Sequence, residues 1–373
     1  MGRVDPRGTI VHNVFLMSRS GLDPALNVPA QRLEIRRPDD WHTHLRDGEL
    51  LRLVIPYTAR VFGRAVVMPN LVPPVTTREM ARAYRERIQA ALPADSRFAP
   101  LMTCYLTDDS DPDEIAKGYE EGTFFACKLY PAHATTNSQF GVSTLDRISG
   151  VLGRLEEIGM PLLIHGETAD PEVDVFDRER VFVERTLRPL LERHQGLKAV
   201  LEHVTTEEAL DFVLAQAGRL GATVTPHHLV INRTAIFAGG LQPDLYCLPV
   251  AKREHHRLTL RKAVTSGAPQ FFLGTDSAPH TVASKHSGRA PAGIFNSATA
   301  IETYAQVFEE EGALDRLEAF SSLNGARFYG LEPNSDSIVL ERRPRSVPAE
   351  IGTDPYAVRL FQGGQEPTWT VAD

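Results

Sequence analysis

The chain has 373 residues, 42% of them hydrophobic and 24% charged, with a formal net charge of -8. That is the balance of a folded globular protein, long enough for one large α/β domain or two ordinary ones. The acidic balance argues against a general nucleic-acid or anionic-membrane binder, and no apolar run reaches the length of a membrane span.

The first 30 residues carry no sustained apolar run of the kind a secretory signal needs. They read as a loose leader, residues 1–30, with Met17 as an alternative start. Residues 31–373 read as one domain. From Leu33 onward, short apolar, β-branched-rich runs recur, each followed by polar residues and then a helical pattern. The runs are LEIRRPDDWHTHLRDG, GRAVVMPNL, FAPLMTCYLTDD, TFFACKLYPA, MPLLIHGE, KAVLEHVTT, ATVTPHHL and QFFLGTDSAPH. Between them, TTREMARAYRERIQAAL has helical apolar spacing behind a threonine cap. DRERVFVERTLRPLLERH carries an apolar stripe. TTEEALDFVLAQAG has acids in its first turn and Gly218 at its end. Continuous apolar strands alternating with helices imply a parallel sheet buried on both faces, and eight such units imply a closed (β/α)8 TIM barrel. An open doubly wound sheet is the alternative, but no Gly-rich turn follows the first strand. The Pro- and charge-rich end from about Pro333, with strand-like pieces such as SIVLERR, reads as a small C-terminal extension packed on a rim. The three cysteines, Cys104, Cys127 and Cys247, form no C-x-x-C pair, so they read as buried thiols of a reducing, cytoplasmic compartment.

Polar residues fall at the same place in unit after unit. His42, His44 and Arg46 end the first run, on alternate positions that would share one strand face. Asn70 ends the second, Lys128 the fourth, His165 the fifth, His203 the sixth and Asp276 the eighth. In a barrel these ends converge on one rim, where barrel enzymes keep their sites. Four histidines and an aspartate suit zinc or a similar divalent ion. Each alone is weak evidence, since a lone histidine is more often structural. Together they are hard to explain as core. Lys128 would repel metals as an ammonium. The alternatives are a lysine that reaches solvent or pairs with an acid, and one whose amine has become a carbamate able to bridge two metals sharing an activated hydroxide.

DDWHTHLRDG, VMPNLVPPVTT, KLYPAHATTN, LIHGE, EHVTT, YCLPV and GTDSAPH together resemble the dihydroorotase family, the single-domain, homodimeric bacterial class within the amidohydrolases. The resemblance runs from about Leu33 to Gly330. It implies reversible interconversion of dihydroorotate and carbamoyl aspartate, two Zn2+ per subunit, a carbamate on Lys128 and a homodimer. His42 and His44 match one metal pair, Lys128 the bridge, and His165 and His203 the second metal's ligands. Asp276 matches the ligand that shuttles the proton. Arg46, Asn70 and His280 match the groups that hold a substrate carboxylate, while Leu248 and Ala292 match contacts to the ring. Thr135 and Thr136 match the tip of a closing loop. The stretch Lys285–Asn296 lacks the cysteines of some family members. A hydantoinase-like cyclic amidohydrolase shares the metal cage but not the carboxylate-binding set. A catalytically dead scaffold would be marked by lost ligands, and every expected ligand is present.

Overall fold

The computed structural model describes residues 32–216 and 218–372; the leader and Met17 lie outside the described residues. The first strand-like run divides in two. β1 (Arg32–Arg36) pairs antiparallel with β10 (Ser337–Glu341), which also pairs with β13 (Thr370–Val371). The barrel begins with β2 (Asp40–Thr43). The break falls at Pro38, which lacks the N–H a ladder needs.

β2 is followed in register by β3 (Arg64–Val67), β4 (Ala99–Tyr105), β5 (Ala126–Leu129), β6 (Leu162–His165), β7 (Ala199–Glu202), β8 (Leu220–Val224) and β9 (Phe271–Leu273), all parallel. The ring closes where Thr43 bridges Ser277. There the Asp276 N–H donates to the His42 carbonyl at 2.8 Å and the His44 N–H to the Ser277 carbonyl at 2.9 Å. This is the (β/α)8 architecture.

Helices α1 (Gly48–Val61), α2 (Arg78–Ala91), α3 (Pro112–Glu120) and α4 (Ser149–Ile158) follow β2 to β5 in turn. After β6, α5 (Arg178–Phe182) and α6 (Arg188–Arg193) are joined by a π-turn over Val183–Leu187. α7 (Glu207–Ala215) follows β7, and α8 (Pro226–Val230) and α9 (Glu254–Thr265) follow β8. α10 (Val282–Lys285), α11 (Ala300–Glu310) and α12 (Asn324–Tyr329) follow β9. The helix starts follow the capping chemistry. Thr77 accepts from the Met80 N–H and Thr206 from the Ala209 N–H, each satisfying a first-turn donor. α7 stops at Ala215, before Gly218.

Strand alternation sorts the core. Ala65 and Val67, Cys127 and Leu129, and Leu162 and Ile164 face outward into the shell between strands and helices. Val66, Ala126, Leu163, Val200 and Phe272 face inward and pack with Trp41, while Phe328 and Tyr329 at the end of α12 close against them. Trp41 stacks on Tyr329 at 4.7 Å between ring centroids. Two residues beyond three of these apolar positions come Lys128, His165 and Glu202, on the same inward face. The barrel interior therefore has an apolar floor and a titratable layer above it.

Candidate metal centre and anion site

The titratable layer is dry. His42, Lys128, His165, Glu202 and His203 are each no more than 2% exposed. His44 Nε2 lies 3.1 Å and His42 Nε2 3.3 Å from Asp276 Oδ1. Across the layer, His165 Nδ1 faces His203 Nε2 at 3.2 Å. The His203 ring stands 5.0 Å from that of His42, centroid to centroid. All four predicted histidines and Asp276 therefore meet around one small cavity.

Three of the positions are reached by backbone strain. His203 has φ +42°, Asp276 φ +44° and Arg46 φ +58°, left-handed values uncommon outside glycine. His203 leaves the strand face that way, since the inward-facing residue of β7 is its neighbour Glu202. Arg46 does the same. The expected strand face carrying His42, His44 and Arg46 does not exist, because β2 ends at Thr43. The three side chains converge through a turn instead. The Tyr84 hydroxyl of α2 donates to the Arg46 carbonyl at 2.6 Å and holds that turn. Gly274 keeps the approach to Asp276 open: a Cβ there would lie 2.6 Å from that of Thr223 and 3.1 Å from that of His42.

Partners beyond the cavity orient the rings. The His44 Nδ1–H donates to Asn70 Oδ1 at 2.8 Å, leaving Nε2 free to face Asp276. His165 Nε2 lies 2.9 Å from Glu167 Oε2, so its Nδ1 is the free nitrogen. His42 Nδ1 lies 2.8 Å from Glu202 Oε2, and Glu202 also accepts from the Thr223 hydroxyl. Asp40 accepts from the Thr275 N–H and hydroxyl, tying the starts of the two seam loops together. Glu179 accepts from the amides and hydroxyls of Thr205 and Thr206, fixing the turn after His203. Glu202, Glu167, Asp40, Glu179 and Tyr84 were not singled out from the sequence. Alternation along β7 points to Glu202. Glu167, just past His165, had a local signal, whereas Tyr84 and Glu179 sit on helices with none.

The electrostatics suit cation binding. Burial pushes the Asp276 carboxyl up, but the His42, His44 and His203 imidazoles outweigh it and hold it well below the usual carboxylate range. Burial lowers His44 to about 4, so it offers a neutral ring. Lys128 is wholly buried, and its Nζ has no hydrogen-bond partner among the described residues. Burial lowers it to about 8 against the pull of Glu202 and Asp276. A dry, unpartnered lysine is costly unless it is neutral or modified. The donor set of imidazoles and carboxylate, with orphaned His203 Nδ1 and Lys128 Nζ, fits divalent cations.

The cavity, about 20 Å³, is also lined by Arg46, Asn70, Thr135, Thr136, Leu248 and Ala292. Larger cavities of about 450 and 910 Å³ lie elsewhere and lack this constellation. The loop carrying Thr135 and Thr136 lies across the mouth. Thr136 accepts from Asn70 Nδ2 through its carbonyl at 3.1 Å and donates its hydroxyl to the Ala292 carbonyl at 3.2 Å. Arg46 Nε donates to the Pro279 carbonyl. His280 stands behind Arg46 rather than in the cavity wall. Its Nε2 is 3.0 Å from both Arg46 Nη2 and the Ala292 carbonyl, and its tautomer decides which bond forms. Burial, with Arg46 and Lys285 nearby, lowers His280 to about 2 and keeps it neutral. The cysteine-free stretch after Lys285 is pinned differently: the buried Lys285 ammonium donates to the carbonyls of Tyr246, Pro291 and Gly293.

Residues 40–339 match the Amidohydrolase family. The chain is 58% identical over 338 residues to a dihydroorotase of Sphingopyxis alaskensis, covering 91% of this chain and 98% of that one. It superimposes with a TM-score of 0.85 and 31% identity on a Saccharomyces cerevisiae dihydroorotase solved with 5-fluoroorotic acid, covering 92% and 99% of the two chains. An L-hydantoinase of Arthrobacter aurescens shares the fold at TM-score 0.75 but only 16% identity, over 91% of this chain and 83% of that one. With these matches spanning the barrel and every residue of the titratable layer, the chain belongs to the amidohydrolase family and, within it, to the dihydroorotases.

Proposed function

We propose that this protein reversibly hydrolyses dihydroorotate to carbamoyl aspartate, in pyrimidine biosynthesis, with two Zn2+ per subunit. His42 and His44 would hold one ion, His165 and His203 the other, and Lys128 as its carbamate would bridge them, with Asp276 ligating beside it. Bound there, the two ions would acidify a water molecule and polarise the ring carbonyl. Arg46 and Asn70 bind the substrate carboxylate, the guanidinium offering a fork matched to that anion. Asn70 must then exchange its contact with Thr136 for one with substrate. His280, neutral, orients Arg46 and takes part in the same anion contact. Leu248 and Ala292 form the wall against the ring. Asp276 takes the proton of the attacking water and delivers it to the ring nitrogen as the amide C–N bond breaks. Thr135 and Thr136 close the loop over the substrate and exclude bulk water.

The observation that carries this reading is the placement of Arg46 at the edge of a buried set of four neutral-capable imidazoles, a carboxylate and an unpartnered lysine. The likeness to named dihydroorotases supports the substrate. The resemblance of the sequence motifs to the homodimeric class supports assembly as a homodimer. A cytoplasmic location is supported by three buried free thiols. Residues 31–373 act as one catalytic domain and residues 1–30 as a leader. Turnover of dihydroorotate and of hydantoin by the zinc-loaded protein tests the reading: dihydroorotate is expected as the substrate, and a protein that opens hydantoin while leaving dihydroorotate intact would refute it.

A further inference from the structure

Three groups of described side chains bring three metal-ligating atoms within 4.8 Å of one another. His42, His44 and Asp276 belong to the centre above. His227, His228 and Cys247 are buried; both ring nitrogens of His228 and the Cys247 thiol are engaged, which leaves His227 Nε2 as the one donor of the three without a hydrogen-bond partner among the described residues. His228 Nδ1 lies 2.8 Å from the Thr225 hydroxyl and Nε2 2.9 Å from the Pro249 carbonyl, while His227 Nδ1 accepts from Asn296.

The third group, Glu207, His255 and His256, is open to solvent. Glu207 and His255 are exposed and His256 is half-buried. The two imidazoles lie with ring centroids 4.0 Å apart at the start of α9. The Glu207 N–H, at the start of α7, donates to His256 Nδ1 at 3.1 Å, which holds that ring against the first turn of α7 and leaves Nε2 as its open nitrogen. Among the described residues, no basic side chain forms an ion pair with the Glu207 carboxylate, and the His255 imidazole stacks beside that of His256.

We propose that Glu207, His255 and His256 form a peripheral divalent-cation site, separate from the central one. Two imidazoles and one carboxylate select Zn2+, Ni2+ or Cu2+ over Mg2+ and Ca2+, which prefer oxygen ligands. At bonds of about 2.0–2.2 Å the ligand atoms of a tetrahedral site stand roughly 3.4 Å apart. Ligand atoms already within 4.8 Å of one another reach that spacing by rotation of the exposed Glu207 and His255 side chains towards His256. Water completes the shell, so the ion exchanges. Once bound, it ties the first turn of α7 to that of α9. α7 starts just four residues beyond His203, so the tie stiffens the turn that carries a residue of the centre.

Equilibrium dialysis of the zinc-loaded holoenzyme against Ni2+, reading total metal per chain by atomic emission, tests the site. Total metal is counted so that exchange at the centre does not register. The wild type is expected to take up one ion more than its central content, and His255→Ala/His256→Ala to take up none. Glu207→Gln, which keeps the side chain's shape and leaves Glu208 in the first turn of α7, is expected to weaken uptake about tenfold, and excess Mg2+ to leave it unchanged. No additional ion in the wild type, or equal uptake by the double variant, would overturn the proposal.

Discussion

Asp276 is the carboxylate that both His42 and His44 reach, and it sits on strained backbone at the barrel seam. The proton-carrying and ligand roles proposed for it separate in Asp276→Asn, which keeps an oxygen but loses the base. We expect kcat to fall by about 10²–10⁴-fold with metal occupancy restored; a variant with full metal content and a near-normal rate would leave Asp276 a ligand only. Arg46 is held by Tyr84 through its carbonyl and by Pro279 through its guanidinium. Arg46→Lys keeps the charge and loses the fork. KM for dihydroorotate should rise about 10–100-fold, equivalent to roughly 1.4–2.8 kcal/mol, with metal content unchanged; unaltered kinetics would remove Arg46 from the substrate site. At this scale the sequence was informative because histidine, aspartate and lysine have few reasons to stand at successive strand ends. The residues that orient them were hidden, since Glu179 and Tyr84 come from helices distant in sequence and look like ordinary helix residues there.

The loop that follows β5 shows what an element adds. At its tip Thr135 bonds Ser138 within the loop, while the bonds of Thr136 go to Asn70 and Ala292, so the loop rests on the groups assigned to substrate binding. Removing the tip residues 135–137 should reduce turnover by about tenfold or more while sparing metal content, because closure excludes water and completes the site; full activity without them would refute the closing role. Most elements were legible. Apolar runs of strand length between amphipathic segments marked all eight barrel strands, the threonine cap marked α2, and the first-turn acids marked α7. The first run misled because β1 and β2 are separated only by Arg37, Pro38 and Asp39, so the two strands read as one segment. Whether a strand joins the barrel or pairs with β10, some 300 residues away, depends on tertiary contacts that local pattern does not carry. The turn placing Arg46 at φ +58° was likewise invisible, since non-glycine residues rarely adopt it.

For the whole molecule, the barrel buries many imidazoles in neutral form, and this sets its response to acid. His227 accepts a hydrogen bond from Asn296, and burial lowers it to about 4. Below its ordinary value near 6.5 the unfolded chain takes up a proton that the folded chain does not. The unfolded state then binds more protons, so stability falls as pH drops from about 6.5 towards 4, by up to about 1.4 kcal/mol per unit for such a group. The urea midpoint of chelator-stripped protein should therefore be lower at pH 5 than at pH 7; an unchanged midpoint would contradict this. Barrel architecture was readable from periodicity because eight repeats of one strand–helix unit admit few arrangements. The small sheet of β1, β10 and β13 was not, because its strands are short and far apart in sequence. The central claim is that the titratable layer of this barrel is a metal-dependent site for dihydroorotate. Metal per chain, measured together with the rate of dihydroorotate hydrolysis as the protein is stripped by chelator and reloaded with Zn2+, tests it most directly. The account predicts that metal and rate fall together and return together, at two ions per chain in the centre; full turnover by the metal-free protein would contradict it.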